Sequence, residues 1–142
     1  MNRREVLQGM SAAMMLPLVS EAELSAQTGG GTGVVYELRI YHTYEGKFEP
    51  LLKRFRERET KIFKRLGMNV LAYWTPDDDP LKGHALVYML KHKSRAAATE
   101  SWAQFSKDPE WVQLKAESEA NGPFVEKHDI TFMSLTDFSP VL

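Results

Sequence analysis

The ten residues VVYELRIYHT, at positions 34–43, read as the strand around which the rest of the chain is arranged. β-Branched and aromatic side chains dominate the stretch, and its residues alternate with the period of two expected of a half-buried strand. One face, which we assign to the layer of helices, carries Tyr36, Leu38 and Ile40. The opposite face carries Glu37, Arg39 and Tyr41. This mixed face needs a cover of its own.

A long amphipathic helix is predicted after the turn EGK at residues 45–47. Apolar residues recur at helical spacing over residues 48–66. Pro50 falls in the first turn, where its missing N–H costs little. Gly67 is a natural C-terminal stop. The pattern therefore predicts one uninterrupted helix of about five turns, at 3.6 residues a turn.

The remaining elements complete an alternating order. They are strands at residues 68–75 and 84–92, a helix capped by Ser94, a short helix from Pro109, and a strand at residues 128–138. The order β-α-β-β-α-β predicts a ferredoxin-like α+β fold with an antiparallel four-stranded sheet. Helices cover one face of such a sheet, and a second copy of the chain is the economical cover for the other. We therefore expect a homodimer.

Composition excludes several classes of function. The formal net charge is −1, so no basic field favours nucleic acid as a partner. The sequence contains no cysteine, which excludes disulfides, thiolate catalysis and cysteine-ligated zinc. No histidine pair has the spacing of a metal site on one element, and the DDD at residues 77–79 lacks the rest of a calcium loop. We predict no metal and no cofactor.

The first 22 residues have the layout of an export signal. Arg3 and Arg4 precede a short apolar run and then small residues, which resembles a twin-arginine signal peptide with cleavage after Ala22 or, as the second choice, after Ala26. The run is too short for a stable membrane span. The alternative is an N-terminal amphipathic helix of a cytoplasmic protein. Residues 23–33 then form a Gly-rich linker to a domain at residues 34–138. We expect a periplasmic or secreted protein.

An ordered set of short motifs resembles the NIPSNAP family. The motifs are YELRIY in the first strand, the Gly-Lys turn, the long helix that ends in Gly67, AYWT in the second strand and KDPEW after the second helix. The resemblance covers residues 34–138. It implies a dimeric α/β barrel, in which two sheets pack face to face and each subunit has a pocket between its sheet and its helices. It implies no particular reaction.

Glu59 is the candidate catalytic residue, because it falls within the apolar stripe of the long helix. Phe55 and Ile62 are its neighbours one turn away, and Arg56 is the cation at helical spacing. A buried carboxylate needs a partner or a proton, and such perturbed groups cluster at functional sites. His42, placed on the face assigned to the helices, is its predicted partner in proton transfer. The alternatives are a structural ion pair or hydrogen bond to a Tyr, His or Arg on a strand, or exposure at the edge of the sheet.

Further residues could bind a ligand in the same layer. The candidates are Tyr36, Trp74, Tyr88, Trp102 and His84. Core packing explains the aromatic ones equally well. His42 or His84 could also serve as an axial haem ligand, although no CxxCH motif is present for covalent attachment.

Three hypotheses about function follow. The first is an exported NIPSNAP-like protein that binds a small apolar or aromatic molecule. The second is a cofactor-independent enzyme of the monooxygenase or isomerase type, with Glu59 and His42 as the proton-transfer pair. The third is a structural dimer whose partner is another protein.

Overall fold

The computed structural model describes residues 33–142, so the predicted export signal and nearly all of the Gly-rich linker lie outside the described residues. The strands are β1 (Val35–Thr43), β2 (Asn69–Trp74), β3 (Ala85–His92) and β4 (Val125–Met133). The helices are α1 (Phe48–Arg54), α2 (Thr60–Arg65), α3 (Arg95–Lys107) and α4 (Pro109–Ser118). All pairings in the sheet are antiparallel, in the order β2-β3-β1-β4. The predicted α+β ferredoxin-like fold is confirmed.

The predicted facing of β1 is wrong. The face that carries Glu37, Arg39 and Tyr41 packs against the helices. Arg39 lies 3.6 Å from the centre of the Trp102 ring on α3, and the Tyr41 ring contacts Phe55. The apolar alternation suggested the reverse, since charged residues usually face solvent. Here the polar atoms bond to one another, which removes the cost of burying them.

The long helix is interrupted by a five-residue π-helical segment, Phe55–Glu59, between α1 and α2. We call it the π segment. Within it, the Thr60 N–H bonds to the Phe55 carbonyl five residues back, which is the π-helical pattern. Such segments usually occupy single turns within α-helices and are frequent at functional sites. The prediction of one uninterrupted helix was wrong in this respect.

The core lies between the sheet and the helices. Its fully buried side chains include Leu51, Ile62, Phe63, Tyr88 and Leu90. Ser94 caps α3 as predicted, since its side chain accepts a hydrogen bond from the Ala97 N–H. The last strand begins three residues earlier than predicted and ends at Met133. The long β1 extends the pairing, with Thr43 opposite Val125.

The other face of the sheet is open to the surroundings and carries apolar side chains at its centre. Leu38 lies opposite Met89, and Ile40 opposite Val87, and all four are half-buried in the subunit. At the edge, the Trp74 side chain is 49% exposed. No helix in residues 33–142 is long and apolar enough to cross a membrane.

Candidate functional site

A cavity of about 140 Å³ lies in the layer between the sheet and the helices, and we call it the Glu59 cavity. The residues that shape its chemistry are Tyr41, Arg54, Glu59, Trp111, Glu119 and His128. They come from β1, β4, the long helix and α4 with the turn that follows it. It brings charged groups, with Lys115 among them, and aromatic rings together at the margin of the core, where Lys115, Pro123 and His128 are exposed.

Arg54 is the partner of Glu59. The Arg54 Nε donates to the Glu59 carboxylate at 3.0 Å, and both residues are buried. In an α-helix, residues five apart are separated by about 140° around the axis. The wider turn of the π segment brings Arg54 and Glu59 to the same side. Glu59 thus has an ion-pair partner on its own helix, whereas the predicted alternative placed that partner on a strand.

Arg54 also ties the long helix to the end of α4. Its Nη1 donates to the Ser118 hydroxyl at 3.0 Å and to the Glu119 carboxylate at 2.7 Å. Its guanidinium lies over the rings of Trp111 and Phe124. Two carboxylates therefore share one cation. Burial raises the pKa of Glu59 to about 7 from an ordinary 4.5, although Arg54 acts in the opposite direction.

A chain of hydrogen bonds extends from the Glu59 cavity along β1. The Tyr88 and Tyr41 hydroxyls are 2.7 Å apart, and the Arg39 Nη1 donates to the Tyr41 oxygen at 3.1 Å. The Arg39 Nε donates to Glu37 at 2.6 Å. Burial raises the pKa of both tyrosines, so they are protonated at neutral pH.

Glu37 forms the other end of this chain. One of its oxygens accepts hydrogen bonds from His92 Nε2 at 2.8 Å and from Trp102 Nε1 at 2.7 Å. Burial raises the pKa of Glu37, but the bonds from His92, Trp102 and Arg39 outweigh it, so the pKa lies below its usual value. Glu37 is an ionised carboxylate with all its partners in place, and it has a structural role.

The histidine near Glu59 is His128, and the predicted pairing of Glu59 with His42 is wrong. The His128 ring lies 4.5 Å from the Tyr41 ring and lines the Glu59 cavity. Burial lowers its pKa, so the imidazole is neutral at neutral pH. His42 bonds instead to Asp129, at 2.8 Å. It follows Tyr41 in the strand and therefore lies on the open face of the sheet.

The other candidate residues divide between the two faces. Tyr88 and Trp102 lie in the layer between sheet and helices, as predicted. Trp74 was expected in this layer but pairs with Val87 on the open face. Its neighbour Tyr73 lies in the layer instead, with its ring against Phe55. Tyr36 shares the open face with Leu38. His84 is exposed just before β3. Within residues 33–142, no group of three or more acidic, histidine or cysteine residues could hold a metal ion.

Sequence reasoning missed Arg54, Tyr41 and His128. Arg54 was invisible to a 100° helical period, because the extra residue of the π segment changes the phase. Tyr41 and His128 lie directly opposite each other in the β1–β4 pairing. The correct facing of β1, together with the β1–β4 register, would have found both.

An antiparallel four-stranded sheet with its helices on one face, and with a polar cavity between the two layers, defines a ferredoxin-like α+β protein. The family model described as NIPSNAP matches residues 36–140, and the chain belongs to the NIPSNAP family. The resemblance seen in the sequence is thereby confirmed. A search of the curated proteins found no match.

Solved structures support the fold. A NIPSNAP-like domain protein from Burkholderia xenovorans is similar to this chain with a TM-score of 0.67 and 18% identity, over 78% of this chain and 92% of the other. A NIPSNAP family protein from Agrobacterium tumefaciens gives a TM-score of 0.66 and 23% identity, over 77% of this chain and 99% of the other. At these identities the similarity concerns the fold.

Proposed function

We propose that this protein binds a small aromatic or apolar molecule in the Glu59 cavity. The observation that carries the proposal is a cavity of about 140 Å³ with aromatic walls and a buried carboxylate. Cavities of about 150 Å³ hold a molecule the size of benzene. Binding sites typically combine an apolar lining with a few polar groups that orient the ligand. Trp111 and Phe105 supply the apolar lining, and Glu59 and His128 supply the polar groups.

Phenol and 1-naphthol test the size of the site. Phenol at ten times its Kd is expected to raise the free energy of unfolding by about 1.4 kcal/mol, which corresponds to a few degrees in Tm. The two-ring 1-naphthol exceeds the cavity and is expected to give no saturable shift. Thermal unfolding with increasing ligand measures both. If no benzene-sized compound gives a saturable shift, the proposed function fails. Equal shifts in Tm from phenol and 1-naphthol would indicate that both bind on the surface and not in the cavity.

A second candidate function is a proton-transfer enzyme without a cofactor. The position of Glu59 in the cavity supports it, because a general base works best with a pKa near the operating pH. His128 takes the place that His42 had in the original hypothesis. In this case Glu59→Gln should lower turnover by about 10²–10⁴-fold, the usual range for general acid–base catalysis, and keep ligand binding. A turnover unchanged in this variant would exclude the enzyme.

We also propose a homodimer in which the open faces of two sheets pack together. The half-buried apolar pairs Leu38–Met89 and Ile40–Val87 form its centre. Light scattering at micromolar concentration should give twice the mass of the chain. Ile40→Arg, which places a charge in that centre, should give the mass of one chain. Thr99→Arg on the exposed side of α3 is the control and should remain dimeric. A monomeric parent protein would contradict the proposal.

Export is proposed on the sequence of residues 1–22. The proposal predicts that the protein recovered outside the cytoplasm begins after Ala22, which N-terminal sequencing reads directly. A protein that stays in the cytoplasm with residue 1 intact would overturn it.

A further inference from the structure

Tyr41 lines the Glu59 cavity, and its hydroxyl lies next to the hydroxyl of the buried Tyr88. The contact between these two hydroxyls uses only one of their two hydrogens. The Tyr41 oxygen accepts a hydrogen bond from Arg39 Nη1 at 3.1 Å, and guanidinium nitrogens can only donate. The 2.7 Å contact between Tyr41 and Tyr88 uses one hydroxyl hydrogen. The other hydroxyl hydrogen has no acceptor among residues 33–142.

The surplus hydrogen belongs on Tyr41. The Tyr88 side chain is 0% exposed and makes its hydroxyl contact with Tyr41. If Tyr88 accepted that bond, its own hydrogen would be left without a partner in the core, which is costly. Tyr88 therefore donates. Tyr41, which lines the Glu59 cavity, can direct its hydrogen there.

Arg39 makes this hydroxyl a better donor. A cation that donates to the oxygen of a hydroxyl polarises its O–H bond, and linked hydrogen bonds strengthen one another. Glu37 holds Arg39 in place at 2.6 Å. The chain Glu37–Arg39–Tyr41 thus leads to one fixed donor at the wall of the cavity.

We propose that the Tyr41 hydroxyl donates a hydrogen bond to an oxygen of the bound molecule, and that the ligands of the cavity are small cyclic carbonyl compounds. This inference rests on the proposed function. A carbonyl oxygen accepts without bringing a further donor that would itself need a partner. The lining carries two carboxylates, Glu59 and Glu119, and two cations, Arg54 and Lys115, so its charges are balanced and a neutral ligand fits it.

Cyclohexanone and methylenecyclohexane test the assignment, because they differ only in C=O against C=CH₂. Cyclohexanone is expected to bind the full-length protein about tenfold more tightly, which corresponds to about 1.4 kcal/mol for an otherwise unpaired buried donor. Tyr41→Phe should reduce the preference to less than twofold. Tyr88→Phe, which removes the neighbouring hydroxyl outside the cavity, should retain it. Calorimetric titration measures all three proteins.

The outcomes separate this inference from the proposed function. If both compounds bind the parent protein equally, the Tyr41 inference fails and the proposed function stands. If neither compound binds, the Tyr41 inference fails, and the phenol titration decides whether the proposed function fails with it. A preference that survives Tyr41→Phe assigns the donor to another residue. Should that variant not fold, the carbonyl stretch of cyclohexanone bound to the parent protein decides. A shift to lower frequency than in an apolar solvent is expected, and its absence would overturn the inference.

Discussion

Arg54→Met is expected to lower the free energy of unfolding by about 3–5 kcal/mol at pH 8, the usual cost of removing one partner of a buried ion pair. Glu59 is 2% exposed and would lose its cation at that pH. Glu119 and Ser118 would lose their link to the long helix as well. Urea unfolding followed by circular dichroism measures the change.

Arg58→Met is the matched control. Arg58 lies on the same helix and pairs with Glu110 at 3.6 Å, but its side chain is 49% exposed. Exposed pairs of this kind contribute about 0–1 kcal/mol. A loss at Arg54 as small as the loss at Arg58 would show that the buried pair does not hold the helices together.

The parent protein is expected to lose stability as the pH rises, because Glu59 becomes ionised in the folded state. Glu59→Gln is expected to abolish this loss. The pKa of Glu59 is raised from 4.5 to about 7 by burial, so the folded state holds a proton that the unfolded state has already lost between these values. The stabilisation is complete below about pH 4.5 and is lost as the pH rises through 7. A shift of this size corresponds to about 3 kcal/mol.

The measurement is the difference in unfolding free energy between the parent protein and the variant, from pH 4.5 to 8. This difference should fall by about 3 kcal/mol with rising pH. The lowered pKa of His128 has the opposite effect on stability, but it is common to both proteins and largely cancels. Glu57→Gln alters an exposed carboxylate in the same π segment and serves as the control, because exposed ion pairs such as Glu57–Lys53 contribute only about 0–1 kcal/mol. A flat difference for Glu59→Gln would mean that this carboxylate titrates normally.

The order and type of the elements could be read from the sequence, because strand and helix periods are local properties of the chain. The facing of β1 could not. Glu37 and Arg39 look like surface residues until His92, Trp102 and Tyr41 are brought around them by the fold. Tyr41 lies on β1 itself, but His92 lies on β3 and Trp102 lies on α3, so no local pattern contains the complete set of partners.

For the same reason, the sequence predicted Glu59 in the candidate site but not the residues around it. Glu59 was found because it interrupts an apolar stripe, which is a local signal. Its partner Arg54 depends on the π segment, and His128 depends on the register between β1 and β4. Both are non-local or irregular features, and the periodic reading selected His42 in their place.

The π segment adds one residue to the long helix, while the helix keeps the same buried face. A π turn contains one residue more than the α-helical turn it replaces. A relative that lacks one residue between Phe55 and Glu59 would form a regular α-helix and still bury the counterparts of Leu51 and Ile62. Its core would be unchanged, and its arginine and glutamate would be four residues apart, the spacing at which side chains lie on the same face of an α-helix. A single gap at this place in an alignment would therefore mark relatives that keep both the scaffold and the buried ion pair.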